Sequence, residues 1–135
     1  MNEAAQIDLA RVLFRRAELG HSGCREFHLG SGHWPLRCFA VAVGAEVRAY
    51  VNRCAHRALP LNLLPDRFLT HDASMILCTA HGAIFEKSTG YCVAGPCPGR
   101  SLISVPVRVA AGYVLLDDGV DADALCAAYA ELPAL

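Results

Sequence analysis

Two short pairs of metal-ligating residues, Cys54-Ala55-His56 and Cys78-Thr79-Ala80-His81, are separated by 21 residues in this chain. A Cys and a His placed two or three residues apart in a loop can turn both side chains toward one centre. Two such loops offer two soft thiolates and two imidazoles. A fold that uses all four must carry two distant loops to one point. Two Cys and two His also make a tetrahedral structural zinc set. Zinc fingers, however, usually pair Cys with Cys and His with His around a short helix, whereas here each loop carries one of each. A lone buried His or Cys is common in a core, but two mixed pairs in turn-flanked loops are not.

Around the pairs the sequence reads mainly as strands. Residues 24–29 and 36–43 are strand patterns separated by the turn Gly30-Ser31-Gly32, and Gly44-Ala45 turns the chain into residues 46–52. That hairpin delivers the first pair at its end. A short apolar strand, 75–77, enters the second pair and 83–86 returns from it. Residues 102–109 then form a last hairpin with 113–116 through Gly112. Residues 121–132 place Leu125, Ala128, Tyr129 and Leu132 at helical spacing behind an acid-rich start that suits a helix N-terminus, as a surface helix packed on the sheets. The reading is all-β, small antiparallel sheets plus a short C-terminal helix. The chain's 135 residues form one domain, 1–135, with a core over about 11–117 and the helix over about 121–132. Hydrophobic residues make up 54% and charged residues 19%, which suits a folded body rather than disorder.

Beyond the second pair come Gly82, then Ile84-Phe85-Glu86, Thr89-Gly90-Tyr91, Gly95-Pro96 and the strand pattern 102–109. This order resembles the Rieske ferredoxin family: second cluster loop, hairpin, proline-bearing third loop and closing strand. The resemblance implies the Rieske fold, with the cluster-binding loops at one tip, and a 2Fe-2S cluster with Cys54 and Cys78 on one iron and His56 and His81 on the other. It places Arg57, Ala58, Ala80, Gly82, Ala83, Phe85 and Pro96 beside the cluster. Two departures leave the ligands untouched. Ala55 stands where relatives often have proline, and the segment between the loops is a few residues longer than in many small ferredoxins, with Pro65-Asp66-Arg67 and Thr70-His71-Asp72 as turns.

High-potential members of the family brace the two loops with a disulfide, whose cysteines would fall near Leu59 and Ala80. They also carry a serine and a tyrosine where this chain has Ala83 and Phe85, which have no hydroxyl to donate. The expectation is a potential at the low end of the Rieske range, on the order of -150 to 0 mV. Resemblance to the ferredoxins of bacterial ring-hydroxylating dioxygenase systems implies an electron carrier rather than an enzyme. Its partners would be a flavin or NAD(P)H-dependent reductase and a terminal oxygenase or similar acceptor. The alternatives are a small Rieske subunit of a larger reductase, such as NADH-dependent nitrite reductase, and a zinc-stabilised interaction module.

The remaining residues add no second chemistry. His21, His28, His33 and His71 are scattered and form no 2-His-1-carboxylate pattern. There is no GxGxxG fingerprint, P-loop or Gly-x-Ser-x-Gly elbow. A net charge of -1 and the lack of a basic patch give no footprint for nucleic acid. No apolar stretch is long enough to span a membrane, and the acidic first residues resemble no signal peptide, so a cytoplasmic protein is expected. Of the five cysteines outside the pairs, Cys24, Cys38 and Cys126 read as buried small hydrophobes, Cys97 in the third loop as a packing residue first, with a redox-sensing thiol or a fortuitous cysteine as the alternatives, and Cys92 is left open. Arg53, Arg57 and Arg100 flank the cluster loops, as partner-steering or solvated rim charges. Trp34 and Tyr91 read as docking or packing aromatics, packing being the commoner role beside a glycine turn.

Overall fold

The computed structural model describes residues 8–20, 23–30, 35–53, 61–62, 68–79, 82–96 and 99–129. Within them the chain forms β1 (Val12–Arg15), β2 (Cys24–Leu29), β3 (Leu36–Val43), β4 (Glu46–Val51), β5 (Ile76–Leu77), β6 (Ile84–Phe85), β7 (Cys92–Ala94), β8 (Ser104–Val105), β9 (Val107–Ala110), β10 (Tyr113–Leu116) and α1 (Ala122–Tyr129). The strands make three antiparallel sheets, in the orders β1-β10-β9, β2-β3-β4-β8 and β5-β6-β7.

β3 explains the layering. Its sequence, Leu-Arg-Cys-Phe-Ala-Val-Ala-Val, is a nearly unbroken apolar run, the pattern of a strand covered on both faces. Because side chains alternate along a strand, Phe39 and Val41 point to one side, while Leu36, Cys38 and Ala40 point to the other. The first side joins Cys24, Tyr50, Leu61, Phe68, Ile76, Cys78, Phe85 and Leu102 in one apolar cluster. There the Phe39 ring stacks on Phe68 at 4.3 Å. The other side joins Phe27, Val47, Ala49 and Val51 to Phe14, Val114 and Leu116 of the β1-β10-β9 sheet. The four-stranded sheet is therefore the middle layer, with the β5-β6-β7 sheet on one face and β1-β10-β9 on the other.

The all-β reading with a short C-terminal helix holds, and the strands expected at 24–29, 36–43 and 113–116 lie at those positions. Residues 102–109 do not form one strand. Pro106 has no N–H for the ladder, and the chain changes sheets there: β8 pairs with β4, while β9 pairs with β10. The short strand β7, between Gly90 and Gly95, pairs with β6 and so completes the hairpin that the resemblance implied after the second loop. α1 packs on β2, with its first N–H groups capped by Asp121, whose carboxylate accepts from Asp123 N at 3.0 Å. Its inner side is Ala122, Leu125 and Cys126; Ala128 is exposed, contrary to the spacing reading, and Leu132 lies outside the described residues. Cys24, Cys38 and Cys92 are buried, but Cys126 is only half-buried. Burial, reinforced by Cys126, pushes the Cys38 thiol up to about 12, so it stays protonated.

Candidate metal centre

The second ligand pair occupies the connection between β5 and β6. Ile76 lies opposite Phe85 and Leu77 opposite Ile84, so Cys78 and Ala83 flank the connection of a short hairpin. Cys78 N donates to Ala83 O, and Gly82 N donates to Cys78 O, both at 2.8 Å. The sulfur-bearing residue thus stands where the hairpin closes. Cys78 is fully buried, in the same cluster as Phe68, Ile76, Ala83 and Phe85. A thiolate at such a position needs a cation beside it, because an uncompensated charge in an apolar cluster is strongly disfavoured.

The first ligand pair follows the end of β4, and the structure shows both ends of its loop. Asn52, just after β4, is the one buried polar residue among the described residues, 5% exposed. Its side-chain oxygen accepts from Leu61 N at 2.8 Å, and its amide nitrogen donates to Asn62 Oδ1 at 2.9 Å. Residues 53–60, which include Cys54 and His56, therefore begin and end at one side chain. Leu61 in turn receives Thr79 from the second loop. Its carbonyl accepts from Thr79 N at 2.9 Å and from Thr79 Oγ1 at 2.8 Å.

The third loop meets the second through a glycine. A Cβ on Gly95, which has φ +95°, would lie 2.7 Å from Ala83 Cα and 2.9 Å from Gly82 O, closer than real Cβ atoms approach backbone. Pro96, the residue the sequence singled out in this loop, is exposed, so the close approach belongs to its neighbour. Tyr91 is 45% exposed and so is not a packing aromatic, and with Val93 it leaves apolar surface on the strand that leads into this loop.

Of the residues proposed from sequence, Cys78, Gly82, Ala83 and Phe85 come together at the β5–β6 tip, and the loop of Pro96 touches them through Gly95. Cys54, His56, Arg57, Ala58, Ala80 and His81 lie outside the described residues, as do Trp34 and Cys97. Arg53 is half-buried and Arg100 exposed. Sequence reasoning missed Asn52, Thr79 and Gly95 as builders of the centre. The position of Asn52, a polar residue directly after an apolar strand and two before Cys54, was the one local signal available. Nothing local pointed from Thr79 to Leu61.

The family model for the Rieske [2Fe-2S] domain matches residues 21–111, a span that encloses both ligand pairs and all three loops. The chain belongs to this family. A Rieske domain binds a 2Fe-2S cluster, and its role is iron-sulfur electron transfer. No curated protein sequence matches the chain. Among solved structures it is similar to the Sphingomonas yanoikuyae B1 ferredoxin, with a TM-score of 0.60 and 23% identity over 79% of this chain and 96% of that one. It is also similar to the terminal oxygenase of carbazole 1,9a-dioxygenase from Nocardioides aromaticivorans IC177, with a TM-score of 0.63 and 23% identity. That match covers 82% of this chain but 30% of the oxygenase chain. The plasma membrane Rieske protein of the cyanobacterium Synechocystis PCC 6803 has a TM-score of 0.55 and 20% identity, over 78% of this chain and 97% of its own. At these identities the likeness is one of fold, and it establishes the Rieske fold for the three sheets described above.

The described part of the centre fits such a group. A buried cysteine closes the second loop, the ends of the first loop meet the second at Leu61, and a glycine lets the third loop lie against both Gly82 and Ala83. Among the described residues no helix is long and apolar enough to cross a membrane.

Proposed function

We propose that this Rieske domain is a one-electron carrier whose cluster is held by Cys54 and Cys78 on one iron and by His56 and His81 on the other. It would take its electron from a flavin or NAD(P)H-dependent reductase and pass it to a terminal oxygenase or a similar acceptor. The observation that carries this reading is the convergence of the two ligand loops at Leu61, inside a family match that encloses both pairs. The cluster, when bound, supplies a site that gains and loses one electron. The protein's own part is to hold that site still. Cys78 anchors the buried side from the apolar cluster. The fold likeness to a ferredoxin and to oxygenase components supports an acceptor of the oxygenase kind. The whole chain, 1–135, acts as one domain in this reading, and its setting is the cytoplasm.

An absorption spectrum of anaerobically purified protein before and after dithionite, with iron, zinc and sulfide assayed on the same sample, tests the reading. The expected result is a red-brown protein with about two irons and two sulfides per chain that bleaches on reduction. A colourless protein carrying zinc and no sulfide, even after iron-sulfur reconstitution, would overturn it and leave an interaction module.

A further inference from the structure

We propose that Asn52 and Thr79 are positioning residues that fasten both ligand loops to the backbone of Leu61, and so govern how firmly the cluster is retained. The proposal rests on the 2Fe-2S reading above. Its geometry is a relay with a single consistent polarity. Leu61 N–H can only donate, so the Asn52 group facing it at 2.8 Å is the side-chain oxygen. The Asn52 amide nitrogen must then face Asn62 Oδ1, at 2.9 Å, which turns the Asn62 amide nitrogen toward Glu26 Oε2, at 3.4 Å. The other carboxylate oxygen of Glu26 is held by Arg37 on the neighbouring strand, through Nε at 2.8 Å and a second guanidinium nitrogen at 2.6 Å. Asn52 N donates to Arg37 O at 2.8 Å, so the relay closes on β3.

From the opposite side Thr79, adjacent to Cys78, puts two donors on the Leu61 carbonyl. Leu61 therefore has its N–H committed to the entrance of the first loop and its carbonyl to the second loop. Leu61 is fully buried and Asn52 nearly so, and hydrogen bonds of this kind are strengthened by a low local dielectric. Fastened to one residue, the two loops cannot separate without breaking the buried bond from Leu61 N to Asn52 or the part-buried bonds from Thr79, and a residue acting in this way affects cluster retention before it affects the sheets.

The test uses the cluster-loaded protein and follows transfer of iron to a ferrous chelator under dithionite, with visible circular dichroism of the cluster and far-ultraviolet circular dichroism of the backbone. Thr79→Val removes the hydroxyl, keeps the shape and leaves the backbone donor. Asn52→Leu removes both the acceptor for Leu61 N and the donor to Asn62. Both variants are expected to release iron roughly 3- to 10-fold faster than wild type with an unchanged far-ultraviolet spectrum, and Thr79→Ser, which retains the hydroxyl, to release it at the wild-type rate. Release from Thr79→Val at the wild-type rate would overturn the proposal, and so would a fall in melting temperature with release unchanged. A wild-type protein that takes up zinc and no sulfide would instead overturn the cluster reading itself, so the two failures are distinguishable.

Discussion

Gly95 is the residue where one methyl group would matter most. Its would-be Cβ meets backbone rather than a flexible side chain, and its φ of +95° is one that other residues rarely adopt. Gly95→Ala is expected to cost about 1–3 kcal/mol, read from urea unfolding, and to lower the iron content of purified protein as the third loop is pushed off Ala83. A second expectation at this scale concerns Ala83 and Phe85. Both are fully buried and neither has a hydroxyl, so neither can donate a side-chain hydrogen bond to a cluster sulfur. Since such donors favour the reduced, more negative state, the midpoint potential is expected on the order of -150 to 0 mV, and a protein-film voltammetry value well above about +100 mV at neutral pH would contradict this account.

Among the elements, β4 carries the connection between the middle sheet and the β5-β6-β7 sheet. Tyr50 on β4 donates its hydroxyl to Lys87 O at 2.6 Å, and Gly90 lies so close to the ring that a Cβ there would come within 2.8 Å of Tyr50 Cε1. The turn between β6 and β7 is thereby seated on β4, which is also the strand that leads into the first ligand loop. Burial pushes the Tyr50 hydroxyl up to about 12. The folded state thus favours the neutral phenol, so its contribution is complete below the ordinary tyrosine value of about 10 and is lost as pH rises through about 12. Tyr50→Phe is expected to lower stability by about 1 kcal/mol at neutral pH, with the deficit shrinking above about pH 10 when urea unfolding is repeated in alkaline buffer.

At the scale of the whole molecule, one sheet separates two apolar cores. β3 supplies both, through Phe39 and Val41 on one face and Cys38 and Ala40 on the other. Neither outer sheet can therefore come away without exposing side chains of the middle layer, and within one outer layer Arg11 ties the start of β1 to the chain leaving β10 by donating from its guanidinium to the carbonyls of Leu116, Asp117 and Val120. The one-domain proposal then has a definite consequence. Visible absorbance of the loaded protein and far-ultraviolet circular dichroism are expected to change in a single coincident thermal transition. Two separated transitions would show that the cluster-bearing sheet unfolds on its own and that the layers are not one cooperative unit.

The hairpin from β2 through β4, β10 and the start of α1 were legible in the sequence because each depends on local chemistry: apolar strand runs, turn glycines and an acidic helix start. The family could be reached in the same way, since its order of loops is written in Gly82, Thr89-Gly90 and Gly95-Pro96. What the tertiary structure alone decided were the pairings between distant segments. It joined Asn52 to Leu61 and Leu61 to Thr79, placed Gly95 rather than Pro96 against Ala83, and divided residues 102–109 between two sheets at Pro106. Local pattern cannot specify such partners. A buried amide or a tight glycine is satisfied by whatever the packed layers bring beside it, and that is set by the fold as a whole.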